Sequence, residues 1–407
     1  MSQNIKPTFI FIATLGILSM LPPLGVDMYI PSFLNIAEDL NINSEQVQHT
    51  LTFFAYGMAA GQLFWGPFGD SFGRKPIILL DSFGRKPIIL LGVIIGAITA
   101  IILTGIHSIG SFTALRFVQG FFGAAPVVLS GALLRDLFSK DQLSRIMSTI
   151  TLVFMIAPLV APIIGGYIVK YFHWHMIFYV IGIMGFLAAL LVFFIIPETH
   201  KKENRIPLRL NIIARNFMTL SKQKEVLGYM AAASFGFGGL FAFVTAGSIV
   251  YIGIYGIPVD QFGYFFMINI AIMTAASYLN GKFVLKLGAE TMLRIGIAVQ
   301  FISGIWLFLT ALFDFGFWSM AIGVAFFVGQ NPLISSNATA SILEKFPTMA
   351  GTANSLMGSV RFGVGAVMGS LVASFKMETS APMLYTMTAC VVISALSYYF
   401  LTYRNER

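Results

Sequence analysis

Three charged side chains lie within long apolar stretches of the chain: Asp27, Arg116 and Arg361. A charge at membrane depth costs at least about 2.5–3.5 kcal/mol on insertion scales, so such residues usually face a cavity or a partner. Asp27 is the only carboxylate of the three, which makes it the candidate for binding and releasing a proton. A low-dielectric cavity and a nearby guanidinium change the proton affinity of a carboxylate in opposite directions. We predict that Asp27 and Arg116 form a proton switch, in which protonation frees the arginine and deprotonation pairs it again.

A static ion pair that braces the bundle is the alternative for Asp27 and Arg116, and Arg361 is a further intramembrane charge with no assigned partner.

Other chemistry has little support in the sequence. The five histidines are scattered and Cys390 is the single cysteine, so we expect no disulfide framework, no metal site and no enzyme active site. A phosphate-binding loop of the G-x-x-x-x-G-K-[ST] type is also absent from the sequence, which argues against ATP-driven work.

The composition shows what kind of protein must position these charges. Of 407 residues, 57% are hydrophobic and 10% are charged, whereas roughly a quarter of the residues in soluble domains are charged. The 40 Phe, 39 Gly and 20 Met are typical of helical membrane proteins. We predict an all-α polytopic membrane protein and exclude a soluble globule and a disordered chain.

Apolar runs predict twelve transmembrane helices in two pseudo-symmetric bundles of six. We predict an N-terminal bundle over residues 1–196, a cytoplasmic linker over 197–225 and a C-terminal bundle over 226–407. The spacing of Gly66 and Gly73 is echoed by that of Gly281 and Gly288, which supports an internal repeat. The first run is predicted to be a retained span, not a signal peptide. The predicted spans lie near residues 8–30, 48–68, 89–106, 109–133, 145–168, 174–196, 226–251, 261–281, 290–312, 316–340, 349–373 and 381–403.

The basic residues predict the orientation of these spans. With the N-terminus in the cytoplasm, 21 of the 25 Lys and Arg residues fall on the cytoplasmic side, and only Lys170 and Lys376 fall outside. The positive-inside rule therefore places both termini in the cytoplasm. It also accounts for the net charge of +8 without a nucleic-acid partner.

The loop after span 2 contains a direct tandem repeat. The eleven residues DSFGRKPIILL occur at 70–80 and again at 81–91. Because the charges of the second copy are costly in lipid, we expect the extra copy to lie on the cytoplasmic side, as a loop or an interfacial helix.

Residues 66–75, GPFGDSFGRK, combine turn-forming glycines with one acid and two cations. This segment resembles the loop signature of the major facilitator superfamily. The resemblance implies that its acid contacts a helix terminus of the opposite half and helps to hold the outward-facing state. Positive-inside anchoring alone is the alternative for the two cations. The residues assigned to this gating loop are Gly66, Asp70, Gly73, Arg74 and Lys75.

Two further motifs narrow the resemblance. Residues 115–120, LRFVQG, resemble the span-4 motif of the superfamily, in which the arginine, here Arg116, is implicated in proton coupling. Residues 157–166, APLVAPIIGG, resemble the span-5 signature of drug:proton antiporters, where prolines kink the helix and paired glycines permit close packing. The residues assigned to that antiporter motif are Pro158, Pro162, Gly165 and Gly166.

Together with VDMYIP at 26–31, SSN at 335–337 and AGTA at 350–353, these motifs make the whole chain similar to the bicyclomycin/chloramphenicol-resistance (Bcr/CflA) subfamily. The resemblance implies a monomeric, proton-coupled antiporter of the bacterial inner membrane. It would export bicyclomycin, chloramphenicol or sulfonamide-like compounds by alternating access, driven by the proton gradient without a cofactor. Export of an endogenous metabolite, such as an amino acid or a siderophore, is the alternative.

The resemblance also places the substrate cavity among spans 1, 4, 7 and 10. Aromatic rings and a few polar groups on these spans are candidates for contacting the substrate, although isolated phenylalanines in membrane helices often only pack. The cavity candidates are Tyr29, Gln119, Phe235, Phe241, Phe243, Gln330, Asn331 and Asn337.

The sequence HisTrpHis at 173–175 is expected to anchor span 6 at the interface.

Overall fold

A computed structural model describes residues 8–71, 85–138, 140–197, 210–346 and 349–404. Within these residues the chain forms helices and turns and no strand. The helices are α1 Phe9–Asp27, α2 Phe33–Asp39, α3 Ser44–Ser71, α4 Arg85–Leu103, α5 Ile109–Leu137, α6 Lys140–Tyr171, α7 His175–Ile195, α8 Leu210–Ser221, α9 Lys224–Ser248, α10 Val259–Leu287, α11 Ala289–Phe313, α12 Gly316–Gly329, α13 Asn331–Lys345, α14 Ala350–Ala373 and α15 Ala381–Tyr398.

The predicted all-helical membrane architecture is confirmed. Eleven segments of the described residues are long and apolar enough to cross a membrane, and α3, whose first turns carry several polar side chains, is the twelfth long helix. Span 1 is longer than predicted, because α1 and α2 together form one segment over Phe9–Asp39. The predicted linker contains the separate helix α8 and the first residues of α9. The bounds of the two bundles stay a prediction.

Several of the membrane-spanning helices in the described part of the chain depart from a continuous α-helix. The chain turns through a 3₁₀ segment at Ile30–Ser32 between α1 and α2, and α12 gives way to α13 at Gln330. A proline begins the new turn in both places, Pro31 and Pro332, since proline lacks the N–H that an unbroken helix needs. The end of α9 widens into a π-helix over Ile249–Ile254, a geometry that is frequent at functional sites.

Glycines allow helices within the N-terminal half, α1–α7, to touch along their backbones. A Cβ atom on Gly120 of α5 would run into the carbonyl oxygen of Phe54 on α3, and one on Gly57 would run into the carbonyl oxygen of Phe117. Such contacts are the usual way in which membrane helices pack, because lipid supplies no hydrophobic force between them.

The C-terminal half, α9–α15, meets the N-terminal half along two helix pairs, α3 with α14 and α6 with α10. The α3–α14 contact runs the length of both helices. The hydroxyl of Ser370 donates to Thr52 Oγ1 at 3.1 Å near one end, and Gly66 packs against Ser355 near the other. We call this continuous contact the seam.

The α6–α10 pair is in contact mainly at one end of the bundle. There Lys170 Nζ lies 2.8 Å from Asp260 Oδ2, and the hydroxyls of Tyr167 and Tyr264 are 3.2 Å apart. We call this end the gate end, and the opposite end, where the chain leaves α7 for α8, the linker end. Farther from the gate end, side chains of α6 and α10 line a cavity between the two halves.

Candidate functional site

The cavity between the halves has a volume of about 530 Å³. That volume is within the range of small-molecule sites. Both halves line it, but unequally: the N-terminal half contributes Asp27, Phe154 and Pro158, and the C-terminal half contributes the rest. The described lining residues of the C-terminal half are Phe237, Leu240, Phe243, Val244, Phe266, Asn269, Ile270, Met273, Val328, Asn331, Pro332, Ser335, Ser336, Thr339 and Arg361.

Asp27 is the last residue of α1 and lies where the chain turns toward α2. It is 8% exposed and lines the cavity. No described side chain or backbone group forms a hydrogen bond or an ion pair with its carboxylate. A carboxylate without a partner among the described residues therefore faces a space that both halves share.

Arg361 of α14 is the cationic group of the same cavity. Its Nη1 donates a hydrogen bond to Ser335 Oγ at 2.9 Å, and its guanidinium carbon lies 5.1 Å from the ring centroid of Phe237. Its Nε is buried and has no hydrogen-bond partner. The serine and the ring fix the plane of the guanidinium, and donors remain for a ligand.

Arg116 of α5 does not line the cavity. It is fully buried, with Nη1 donating to Gln119 Oε1 at 2.5 Å and Nη2 donating to the carbonyl oxygen of Gly25 at 3.0 Å. Its guanidinium carbon also lies 4.7 Å from the ring centroid of Tyr29. No ion pair joins Arg116 to Asp27 in this structure. The arginine instead binds the backbone of α1 two residues before the carboxylate, so movement of α5 acts directly on the end of α1.

We expect Arg116→Lys to lower the free energy of unfolding by about 1.5–3 kcal/mol, the range for a hydrogen bond to a charged group. Lysine keeps the charge but lacks the planar fork that reaches Gln119 and Gly25 together. Thermal melting of the purified protein in detergent would show this as a lower melting temperature. Arg404→Lys, at an exposed residue beyond α15, is the matched control. Equal melting of the two variants would contradict this role of Arg116.

The antiporter motif lies on α6, where that helix contacts both α1 and α10. Pro158 lines the cavity, and Pro162 lies one turn farther along α6. Gly165 packs against the backbone of Met28, the residue after Asp27. Gly166 packs against the carbonyl oxygen of Val259 at the start of α10. A larger residue at either glycine would therefore displace one of the two helices.

The gating-loop prediction falls largely outside the described residues. Gly66 lies on the seam, and Asp70 falls in the last turn of α3, but its side chain is outside what the structure describes. Gly73, Arg74 and Lys75 also lie outside the described residues, as do residues 81–84 at the start of the second copy of the repeat.

The second copy of the repeat provides the beginning of α4. This helix starts at Arg85, and Lys86 Nζ donates to the carbonyl oxygen of Phe193 at 2.6 Å, near the end of α7. The cations of the second copy therefore lie at the start of the helix that follows the loop.

The predicted cavity residues occupy several environments. Phe243 and Asn331 line the cavity. Tyr29 and Gln119 belong to the surroundings of Arg116, with the Tyr29 hydroxyl 2.6 Å from Thr50 Oγ1. Phe235 is half-buried on α9. The others pack or form hydrogen bonds within the C-terminal half: Phe241 against Phe237, Gln330 with the carbonyl oxygen of Phe326, and Asn337 with Asn280.

The cavity also differs from the expected set of spans 1, 4, 7 and 10. No residue of α5, which is span 4, lines it, because α5 is packed against α3 and α4. Lining residues on α6, α10 and α14 were not foreseen as substrate contacts, notably Phe154, Phe266 and Asn269. In the sequence, an asparagine within an apolar span was the one signal for Asn269. The structure shows that this asparagine is buried.

The HisTrpHis sequence lies at the gate end, between α6 and α7. Trp174 is buried and its Nε1 donates to Asp39 Oδ2 at 3.0 Å. The side chains of Asp39, His173 and His175 converge so that one ligand atom from each lies within 4.8 Å of the others. This contact ties the end of α2 to the start of α7.

Comparisons with known proteins agree with this architecture. The sequence model of the Major Facilitator Superfamily matches residues 15–370. The chain is 79% identical to the bicyclomycin resistance protein homolog of Haemophilus influenzae, over 98% of each chain. It is 26% identical to multidrug resistance protein MdtL of Shewanella oneidensis, over 84% of this chain and 83% of that protein.

Among solved structures, a D-xylose–proton symporter superposes with a TM-score of 0.72 at 14% identity, covering 97% of this chain and 98% of that one. A similarity at this level of identity shows the fold alone. The sequence matches, by contrast, run through the loop, span-4 and span-5 motifs that pointed to the same group. The chain therefore belongs to the major facilitator superfamily of membrane transporters, in its bicyclomycin-resistance branch.

Proposed function

We propose that this protein exports small antibiotics from the bacterial cytoplasm in exchange for protons. The observation that carries the proposal is the Asp27 carboxylate, which has no partner within the described part of the chain and faces a cavity shared by both halves. The names of the relatives support the cargo, since one is a bicyclomycin resistance protein homolog and another is a multidrug resistance protein. The expected substrates are bicyclomycin, chloramphenicol and sulfonamide-like compounds.

In this proposal the protein is a monomer of the inner membrane with both termini in the cytoplasm, and the proton gradient is its energy source. The gate end then faces the periplasm, where the contacts between α6 and α10 close the cavity. Substrate enters from the linker end while Asp27 is ionised. The halves then rock about the seam, and the Lys170–Asp260 pair separates.

A proton from the periplasm then binds Asp27 and replaces the substrate, and neutralising the carboxylate allows the protein to return. Asp27 then releases the proton on the cytoplasmic side, which leaves it ionised for the next substrate. Two contacts transmit the state of Asp27 to the helices around it. Arg116 holds the carbonyl oxygen of Gly25, and Gly165 of α6 packs against the backbone of Met28. Asp27 thus lies between a contact of α1 with α5 and a contact of the following residue with α6.

The direct test is drug susceptibility of efflux-deficient bacteria that express the chain. We expect severalfold protection against bicyclomycin and chloramphenicol, and loss of that protection when the proton gradient is collapsed by an uncoupler. A version lacking residues 81–91 keeps one complete copy of the repeat and is expected to protect equally.

Lack of protection by both versions, with normal amounts of protein in the membrane, would contradict drug export and favour the export of an endogenous metabolite. Protection only by the shortened version would show that the repeat inactivates the transporter. Protection that persists in the uncoupled cells would contradict proton exchange.

A further inference from the structure

The cavity contains two opposite charges that are not paired with each other. Asp27 comes from the N-terminal half and Arg361 from the C-terminal half, and no ion pair joins them. We propose that Arg361 selects the cargo by binding a carbonyl or carboxylate oxygen, so that the cavity favours uncharged or zwitterionic molecules over cations. The inference rests on the proposed function, because it takes this cavity as the substrate site.

The arrangement of Arg361 suits an oxygen ligand. A guanidinium has several N–H donors in one plane and matches the geometry of carbonyl and carboxylate oxygens. Only the bond from Nη1 to Ser335 uses this capacity within the described residues, and the buried Nε has no partner. Contacts with Phe237 at 5.1 Å and Phe362 at 5.7 Å hold the guanidinium in place. A half-buried charge with unused donors gains from a ligand that supplies acceptors.

Asp27 sets the complementary requirement. An ionised carboxylate only accepts hydrogen bonds, so it favours an O–H or N–H group on the ligand. A molecule with an acceptor at one end and a donor at the other satisfies both residues at once. Such a molecule and a proton would compete for the same carboxylate oxygens, which is the competition that exchange requires.

The walls of the cavity set the size and body of the ligand. The rings of Phe237, Phe243 and Phe266 offer aromatic faces, and Asn269 and Asn331 add amide groups. With a volume of about 530 Å³, the cavity accepts a drug-sized molecule with an aromatic or compact apolar body. A large apolar cation fits the walls but is repelled by Arg361 as strongly as it is attracted by Asp27.

Equilibrium binding to the purified full chain in lipid nanodiscs tests the inference with two labelled probes. Chloramphenicol is uncharged and carries an amide carbonyl, hydroxyls and an aromatic ring, whereas tetraphenylphosphonium is an apolar cation. We expect the unmodified protein to bind chloramphenicol more tightly. Arg361→Met should weaken chloramphenicol binding about tenfold or more, because a charge-assisted hydrogen bond is lost. The same variant should bind tetraphenylphosphonium more tightly, because Asp27 is then the only charge among the described residues that line the cavity.

The gain in cation binding distinguishes the loss of the Arg361 contact from misfolding, because an unfolded variant would lose binding of both probes. Arg361→Lys keeps the charge and should retain the preference for the uncharged probe. Arg404→Met removes an exposed arginine beyond α15 and should bind both probes as the unmodified protein does. Unchanged affinities in Arg361→Met would overturn the inference. Tighter binding of the cation than of chloramphenicol by the unmodified protein, or no binding of chloramphenicol, would also overturn it.

These measurements need no proton gradient, so they separate this inference from the proposed function. A protein that binds chloramphenicol through Arg361 but does not exchange it for protons in liposomes would keep the inference and overturn proton exchange. Proton-driven exchange that continues in Arg361→Met, with an unchanged affinity for chloramphenicol, would keep the proposed function and overturn the inference about Arg361.

Discussion

Asp27→Asn is expected to abolish proton-driven export while leaving a folded protein whose drug binding no longer depends on the protonation of residue 27. Asparagine has nearly the shape of aspartate but cannot bind and release a proton at the carboxyl position. Because no described residue pairs with the carboxylate, the substitution breaks no ion pair that the structure shows and leaves none of the described cations unpaired. The measurement is drug uptake into proteoliposomes driven by an imposed pH gradient, with drug binding measured on the same preparation.

Asp314→Asn is the matched control for this substitution. Asp314 is exposed in the turn between α11 and α12, where its φ of 49° is a conformation that asparagine also adopts readily. The control should transport as the unmodified protein does. Equal gradient-driven uptake by Asp27→Asn and Asp314→Asn would show that the proton is carried elsewhere.

Cross-linking the gate end should block export completely and reversibly. Lys170 and Asp260 lie on different halves and form an ion pair of 2.8 Å, so cysteines at both positions lie within reach of a short bifunctional thiol reagent. If the halves separate at this end in each cycle, a covalent link between α6 and α10 stops the cycle. The measurement is drug efflux from whole cells before cross-linking, after it, and after reductive cleavage of the link.

The chain offers a control pair with similar chemistry within one half. Lys376 and Glu378 form an exposed ion pair of 2.8 Å in the turn between α14 and α15. Linking cysteines at these two positions should leave efflux unchanged. The native Cys390 is buried, so it should contribute little to the reaction. Efflux that continues through a complete Lys170→Cys/Asp260→Cys link would contradict movement at the gate end.

The sequence predicted the membrane helices well, because long apolar runs between polar segments have few other interpretations. It predicted poorly which face of each helix meets the cavity. A membrane helix is apolar on every side, so hydrophobic periodicity carries little information about its orientation. Phe265 and Phe266 show the difficulty: adjacent in sequence, one packs against Phe317 at 5.0 Å and the other lines the cavity.

The partners of the intramembrane arginines show a second limit. Arg116 is predicted from the sequence to pair with Asp27. In this structure it binds Gln119, one helical turn away, and the carbonyl oxygen of Gly25. A backbone acceptor leaves no mark in the sequence, because every residue carries one. Nothing in the sequence indicates that Ser335 is the partner of Arg361. Ser335 lies in the second part of a span that breaks at Gln330, and the break changes which residues face the cavity.

The unequal lining of the cavity has a consequence for how such transporters diversify. Nearly all the described side chains that line the cavity belong to the C-terminal half, whereas Asp27, Arg116 and the glycines of α6, which we propose take part in energy coupling, belong to the other. Under the proposed function, we therefore expect substitutions in α9, α10 and α13 to change which antibiotics are recognised without touching the residues proposed to couple transport to the gradient. Under drug selection, an altered resistance spectrum should arise chiefly from mutations in the C-terminal half. Chimeras that exchange this half between relatives should inherit their spectrum from its donor.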